Sequence, residues 1–241
     1  MEPRWLEIRL QQAADAESYR ASYDLLHRRA EIGMRDSFYD WILDLLAIQP
    51  GQHLLDVAGG NGALARRARL RQIPAMTLDL SFDASQQSQQ GSIVGDGHCL
   101  PFGANVFDRV ASIGSLEHYT NPLLGASELA RVLQPDGLAC VLLPNLFSLL
   151  GNVWNVFRTG HTFIDRQPIQ RYAALEDWQT VLQAAGLRVE RVVKFEREWP
   201  RYIRDAAWYL EHPKSLARLI LTPFVPLRLA ACHVFMCRKR A

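Results

Sequence analysis

The sequence predicts an α/β fold: a mostly parallel sheet covered by helices on both faces. Short apolar runs alternate with helical or turn segments through most of the chain, the pattern of strands joined by crossover helices. Runs such as LACVLLP at 138–144 are apolar throughout, as strands buried on both faces are. A glycine-rich turn joins the first run to a helix, the place where open α/β sheets meet nucleotide-like ligands.

A chain of 241 residues suits one domain, 1–241, with a substantial buried core. Ala13 to Ile48 reads as helices, in which Phe38, Trp41, Ile42, Leu45 and Leu46 form one apolar stripe. These helices make an N-terminal cap over residues 1–49, ended by Pro50-Gly51. Strands are expected at HLLDV (53–57), AMTLDL (75–80), SIVGD (92–96), RVASIG (109–114), LACVLLP (138–144), LRVERVVKF (187–195) and ACHVFMC (231–237). Helices are expected at Ala63–Arg71, Leu123–Leu133 and Ala174–Ala185. In the last, Leu175, Trp178, Leu182 and Ala185 share a face, and Gly186 suits the left-handed position after it. SQQSQQG, Ser85 to Gly91, reads as a polar connection.

Two segments exceed what such a sheet needs, 145–170 after the fifth strand and 198–230 before the last. Both hold large apolar residues, and four of the six tryptophans fall between Trp154 and Trp208. They are expected to be lids over an apolar pocket, with extra core or a subunit contact as the plainer reading. Trp178, on its amphipathic helix, reads as core; Trp154, Trp199 and Trp208 read as pocket residues.

Composition narrows the partners. Net charge is +2, from 27 basic and 25 acidic residues, too balanced for nucleic acid as a main partner. Cys99, Cys140, Cys232 and Cys237 match neither a disulfide framework nor a zinc spacing and read as free thiols of a cytoplasmic protein. No signal peptide is read in Met1–Leu10, which carries charges throughout. LILTPFVPL, nine residues with two prolines, is far short of the roughly twenty a membrane span needs. The apolar Leu216–Leu229 region leaves a lid, a dimer interface or a peripheral membrane contact open, and the oligomer a monomer or homodimer.

Gly60-Asn61-Gly62-Ala63-Leu64-Ala65 fits GxGxxA, a turn whose glycines let a ligand approach the backbone. The fingerprint alone is shared with dinucleotide oxidoreductases. Acids at the ends of successive strands, Asp56, Asp79 and Asp96, say more. Asp79 stands where an acid accepts both ribose hydroxyls. Asp96, in GDGHCLPF (95–102), is placed to accept the amino hydrogens of an adenine. A carboxylate at Asp56 repels pyrophosphate and favours a cationic or amino-bearing tail. Adenine, ribose, no phosphate and positive charge together describe S-adenosylmethionine.

With that series the chain resembles the class I methyltransferases, in the type 11 group that includes ubiquinone-biosynthesis enzymes. LLDVAGGNG stands for the D-x-G-x-G-x-G loop, TLDLS for the ribose acid, GDGHCLPF for the adenine segment and FDRVASIGSLEHY for the fourth strand. ELARVLQPDGLACVLLPN resembles the helix, the Pro-Gly-type turn and the fifth strand. The likeness runs from Tyr23 to Lys194, and Ala58 replaces the first glycine of the loop. It implies a Rossmann-like sheet of seven strands in the order 3-2-1-4-5-7-6. It also implies that Asp56, Ala58, Gly60, Gly62, Asp79, Leu80, Asp96, Gly97, His98 and Ile113 hold S-adenosylmethionine.

Methyl transfer from a sulfonium needs collinear reactants in a dry site, and a base only where the nucleophile arrives protonated. The resemblance puts Glu117-His118 near the methyl group, with His118 the candidate base. The plainer reading of His118 is a helix cap or a bond to a neighbouring carbonyl. His161 and Asp165 are the fallback acid–base pair, with solvated loop polars as the alternative. Related O-methyltransferases hold a divalent metal on Glu-x-x-Glu-His; Gly114 occupies the first of those positions, so no metal is expected. Tyr19, Tyr23, Arg28 and Arg29 lie on helices that close over the cofactor in relatives. The function expected is methyl transfer to a small hydrophobic, aromatic or polyketide-like acceptor, most readily at oxygen. A repurposed S-adenosylmethionine-binding protein and a dinucleotide oxidoreductase stay as alternatives, and nucleic-acid methylation lacks its Asn-Pro-Pro-aromatic motif.

Overall fold

The computed structural model describes residues 4–9, 16–28, 33–88, 91–164 and 167–240. A seven-stranded sheet runs through its centre. Its strands are β2 (Leu54–Val57), β3 (Ala75–Asp79), β4 (Ser92–Val94), β5 (Phe107–Ile113), β6 (Leu133–Pro144), β8 (Leu187–Phe195) and β9 (Cys232–Lys239). The spatial order is β4-β3-β2-β5-β6-β9-β8, which, counting only these seven, is the expected order. All pairs are parallel except those of β9, which is antiparallel to both β6 and β8.

Alternation along the strands divides the core. In β2, Leu55 and Val57 join a cluster with Val110, Leu129, Trp178 and Phe235. Leu54 joins the other, with Phe38, Ile42, Leu64, Cys140 and Val234. The first face is covered by α5 (Pro122–Val132) and α7 (Leu175–Ala184), the second by α2 (Asp36–Leu46) and α3 (Ala63–Leu70). Asp56 shares the parity of Leu54, so its carboxyl belongs to the face that α2 and α3 cover.

Four features differ from the sequence reading. β6 starts at Leu133, because Leu133 pairs with Phe107 across an irregularity that precedes the regular register. The polar connection begins as a helix, α4 (Phe82–Gln87), since the Ser81 hydroxyl caps it by accepting from Ala84 N–H at 3.1 Å. A second, two-stranded antiparallel sheet pairs β1 (Leu6–Arg9) with β7 (Ile169–Tyr172). The excursion 145–170 is therefore only partly free: a π-type turn at Leu149–Val153 and α6 (Trp154–Thr159) project, while its end is built into β7. The other excursion forms α8 (Ile203–Glu211), α9 (Pro213–Leu221) and short turns at Thr222–Phe224 and Leu227–Leu229. α1 (Ala16–Arg28) precedes α2 in the N-terminal cap.

Among the described residues no helix is long and apolar enough to cross a membrane.

Candidate functional site

A cavity of about 350 Å³ opens beyond the carboxyl ends of β2, β3, β4 and β5. Its floor is the turn after β2. Gly60 has φ 56° and Gly62 φ 70°, conformations glycine takes without strain. Ala58 also has a positive φ, 53°, a position costing an L-residue about 1 kcal/mol or more. A Cβ on Gly59 would overlap the Asp56 carboxyl, so the turn lies directly on that side chain.

Asp56 is 2% exposed and lines the cavity. It accepts no hydrogen bond among the described residues. Burial, and then the neighbouring charge of Asp79, push its pKa up to about 7. Asp79 is engaged on both oxygens: Oδ2 accepts from Gly60 N–H at 2.8 Å and Oδ1 from Ser81 N–H at 2.9 Å. Asp79 thus fixes the glycine turn. Asp96 turns Oδ1 to His98, accepting from its backbone N–H at 2.8 Å and its Nδ1–H at 2.6 Å. Those bonds outweigh burial and hold the Asp96 pKa below the usual carboxylate range. His98 Nε2 accepts from Asn121 N–H at 3.2 Å, which leaves the ring proton on Nδ1.

His118 lies on the 3₁₀ turn Leu116–His118 after β5 and is 5% exposed. Its Nδ1 is 2.6 Å from the Ile169 carbonyl, which can only accept, so Nδ1 carries a proton. Nε2 is 3.7 Å from Glu117 Oε1. This histidine thus bonds a carbonyl and also lines the cavity.

Of the residues expected at a cofactor, Asp56, Ala58, Gly60, Asp79, Leu80, Asp96, Gly97, His98 and Ile113 line the cavity. Gly62 does not. It caps α3, and a Cβ there would come within 2.5 Å of Ser88 Oγ, so its role is to let the turn close. His161 is exposed and away from the cavity, its backbone bonded to Thr159 and Asn155. Asp165 and Arg29 lie outside the described residues.

The tryptophans differ from expectation. Trp154, 54% exposed, and Trp199, 56% exposed, face away from the cavity, and Trp208 stacks on Arg35, whose guanidinium carbon is 3.8 Å from the ring centroid. The apolar wall comes instead from the cap, through Tyr19, Tyr23, Met34, Phe38 and Tyr39. Sequence reasoning also misses Tyr119. It packs against Gly97, where a Cβ would overlap its hydroxyl, and its ring lies 4.7 Å from that of His98. Among the described residues no three His, Cys, Asp or Glu side chains gather as a metal site.

Residues 55–141 match the family model of a methyltransferase domain. Over that span the chain resembles a type 11 methyltransferase domain. The ubiquinone/menaquinone biosynthesis C-methyltransferase UbiE of Ruegeria sp. (strain TM1040) is 31% identical over 145 residues, 53% of this chain and 58% of that protein. The UbiE of Coxiella burnetii (strain RSA 331 / Henzerling II) is 29% identical over 140 residues, 52% of this chain and 56% of that protein. The chain thus spans less than two thirds of these relatives. In fold it resembles a putative methyltransferase of Haloferax volcanii solved with the Trm112 methyltransferase activator, at 17% identity and TM-score 0.66 over 91% of this chain and 98% of that one. It also resembles the [4+2]-cyclase SpnF, at 17% identity and TM-score 0.66 over 97% of this chain and 99% of that one. Methyltransferase domains of the family whose model matches use S-adenosylmethionine as methyl donor.

Proposed function

We propose that the protein transfers a methyl group from S-adenosylmethionine to a small hydrophobic, aromatic or polyketide-like acceptor, at oxygen. The observation that carries this is the Asp56 carboxyl, buried in the cavity beneath the glycine turn without a hydrogen-bond donor among the described residues. Such a group calls for a cationic partner and repels a pyrophosphate. The residues present fit the cofactor. Asp56 would face its charged end, Asp79 and Asp96 would accept from its hydroxyls and amino group, and the backbone at Ala58–Gly60 could come close because Gly59 has no side chain.

When bound, the cofactor supplies an electrophilic methyl group. The chain's residues then do the rest. Tyr19, Met34, Phe38 and Tyr39 exclude water. His118 takes the acceptor's proton at Nε2, because Nδ1 is committed to Ile169, and the Glu117 carboxylate favours the imidazolium that results. The same base serves an acidic carbon, the atom class in the relatives' printed names. A second reading, a repurposed S-adenosylmethionine-binding protein, draws on the likeness to SpnF and on Ala58 in the loop.

The test is turnover of labelled S-adenosylmethionine on a panel of phenols, quinols and polyketide-like alcohols, scored for S-adenosylhomocysteine and for the methylated atom. Product with an oxygen acceptor supports the reading. Tight S-adenosylhomocysteine binding with no product from any acceptor favours the repurposed protein. Uptake of nicotinamide dinucleotide with none of S-adenosylhomocysteine would sink both. His118→Gln is expected to lower turnover by about 10²–10⁴-fold with cofactor affinity within about threefold, checked by calorimetry beside the assay.

A further inference from the structure

The cavity leaves a group of exposed apolar side chains without a role. Trp154 and Phe157 on α6 are 54% and 79% exposed, and Ile220 and Phe224 at the end of α9 are 59% and 79% exposed. Their segments share a root. Asn145 Nδ2 donates to the carbonyls of Arg228 and Ala230 at 2.9 and 2.8 Å. A Cβ on Gly151 would lie 3.7 Å from Arg218 Nη2.

These apolar side chains are held outward. Trp154 and Phe157 stack with ring centroids 5.6 Å apart. Beneath the Thr222–Phe224 turn, the Lys194 ammonium donates to the carbonyls of Thr222, Pro223 and Val225 at 2.9, 3.1 and 2.7 Å. That is a rigid mount for a phenylalanine that touches little of its own protein.

Charge identifies what covers the face. Residues 145–164 and 212–230 contain Arg158, Lys214, Arg218 and Arg228 and no Asp or Glu, the sequence-adjacent acids being Asp165 and Glu211 at their edges. Arg218 pairs with Glu196 at 3.2 Å, and the exposed Arg228 is 3.6 Å from Glu176. Arg158 and Lys214 have no ion pair among the described residues. A second copy placed on this face would bring like charges together. An anionic lipid surface meets both features, with the headgroup–acyl boundary accepting aromatic tips and the phosphates accepting the cations.

We propose that this face seats the protein on an anionic bilayer, with Trp154, Phe157, Ile220 and Phe224 entering the interface and Arg158 and Lys214 against lipid phosphates. The proposal goes beyond methyl transfer and stands whether or not that reading holds.

It is tested by co-sedimentation of the full chain with phosphatidylcholine vesicles and with phosphatidylcholine–phosphatidylglycerol vesicles. Binding to the mixed vesicles, weakened by salt, is expected. Phe157→Glu with Phe224→Glu should reduce partitioning by about tenfold or more, with circular dichroism and Tm unchanged because both side chains are exposed. Arg158→Glu with Lys214→Glu should reduce binding to the mixed vesicles by about tenfold. No binding to the mixed vesicles, or binding indifferent to these substitutions, overturns the proposal. So does a dimer in light scattering that Phe157→Glu dissolves, since a second copy would then own the face.

Discussion

Asp56 is held where its surroundings oppose its own charge, and that sets its behaviour with pH. Its folded pKa, near 7, stands above the unfolded carboxyl's ordinary value. The folded state therefore binds the proton more tightly, and the stability this group contributes is present at low pH and lost as pH rises toward 7. Asp56→Asn should stabilise the ligand-free protein at pH 8 by roughly 1–4 kcal/mol, read as a rise in Tm. A cationic ligand favours the ionised form, so S-adenosylmethionine should bind more tightly from pH 6 to 8 and release a proton, and the Asn variant should lose that dependence in calorimetry. Next to it, Ala58 holds φ 53°. Ala58→Gly should add about 0.5–1 kcal/mol to stability, with cofactor affinity kept; a fall in Tm would show that the methyl group packs usefully. The three acids and Ala58 were legible in the sequence because strand ends in an alternating α/β pattern converge on one edge. Tyr119 and Tyr39 were not, because the first hangs from an irregular turn and the second lies off its helix's main apolar stripe.

At the scale of the element, the small β1–β7 sheet places the turn that bears His118. Arg171 on β7 is 1% exposed. Its Nε donates to Glu7 Oε2 on β1 at 2.7 Å, and its Nη1 to the carbonyls of Glu117 and Tyr119. Tyr19 on α1 donates to the His118 carbonyl at 2.6 Å. A single guanidinium thus gathers the carbonyls of the turn that bears His118, and satisfies backbone that no regular ladder satisfies. Arg171→Met should cost about 3–5 kcal/mol, and Arg171→Lys should recover only part of it because one ammonium cannot hold the same fork. Glu7→Gln, which keeps the packing, should raise the acceptor KM or lower kcat with little change in Tm; an unaffected pair of constants would leave Arg171 a purely structural group. This element was invisible in the sequence: a four-residue strand and its partner lie 160 positions apart, and neither carries alternation long enough to stand out from a loop. The long strands of the central sheet were legible, since burial on both faces demands uninterrupted apolar runs.

Over the whole molecule, acids of the cap tie three helices together. Asp40 on α2, 2% exposed, accepts from Arg67 Nη2 on α3 at 2.6 Å and from Arg71 Nη2 at 3.1 Å, and the Tyr202 hydroxyl before α8 joins it. Asp44 binds Arg71 and, at 2.6 Å, Arg201. Burial opposes the charge of Asp40 and Asp44, but these bonds outweigh it and hold both pKa values below the ordinary carboxylate range. Their stabilisation is therefore present above about pH 4 and lost as pH falls through the lowered values. Acid melting is expected to begin here, and Asp40→Asn should flatten the acid limb of the Tm–pH curve while leaving its neutral plateau lower. Arg35, 2.7 Å from Glu198 Oε1, joins the cap to the second excursion again. None of this is readable from the chain, because the partners meet across distances that spacing does not encode. The Glu7–Arg171 pair has a practical side as well. A shortened version of the protein that omits β1, made to tidy up a crystallisation target, would remove the far anchor of that guanidinium; it would still fold around its sheet and take up cofactor, yet turn over poorly, and be mistaken for an inactive family member.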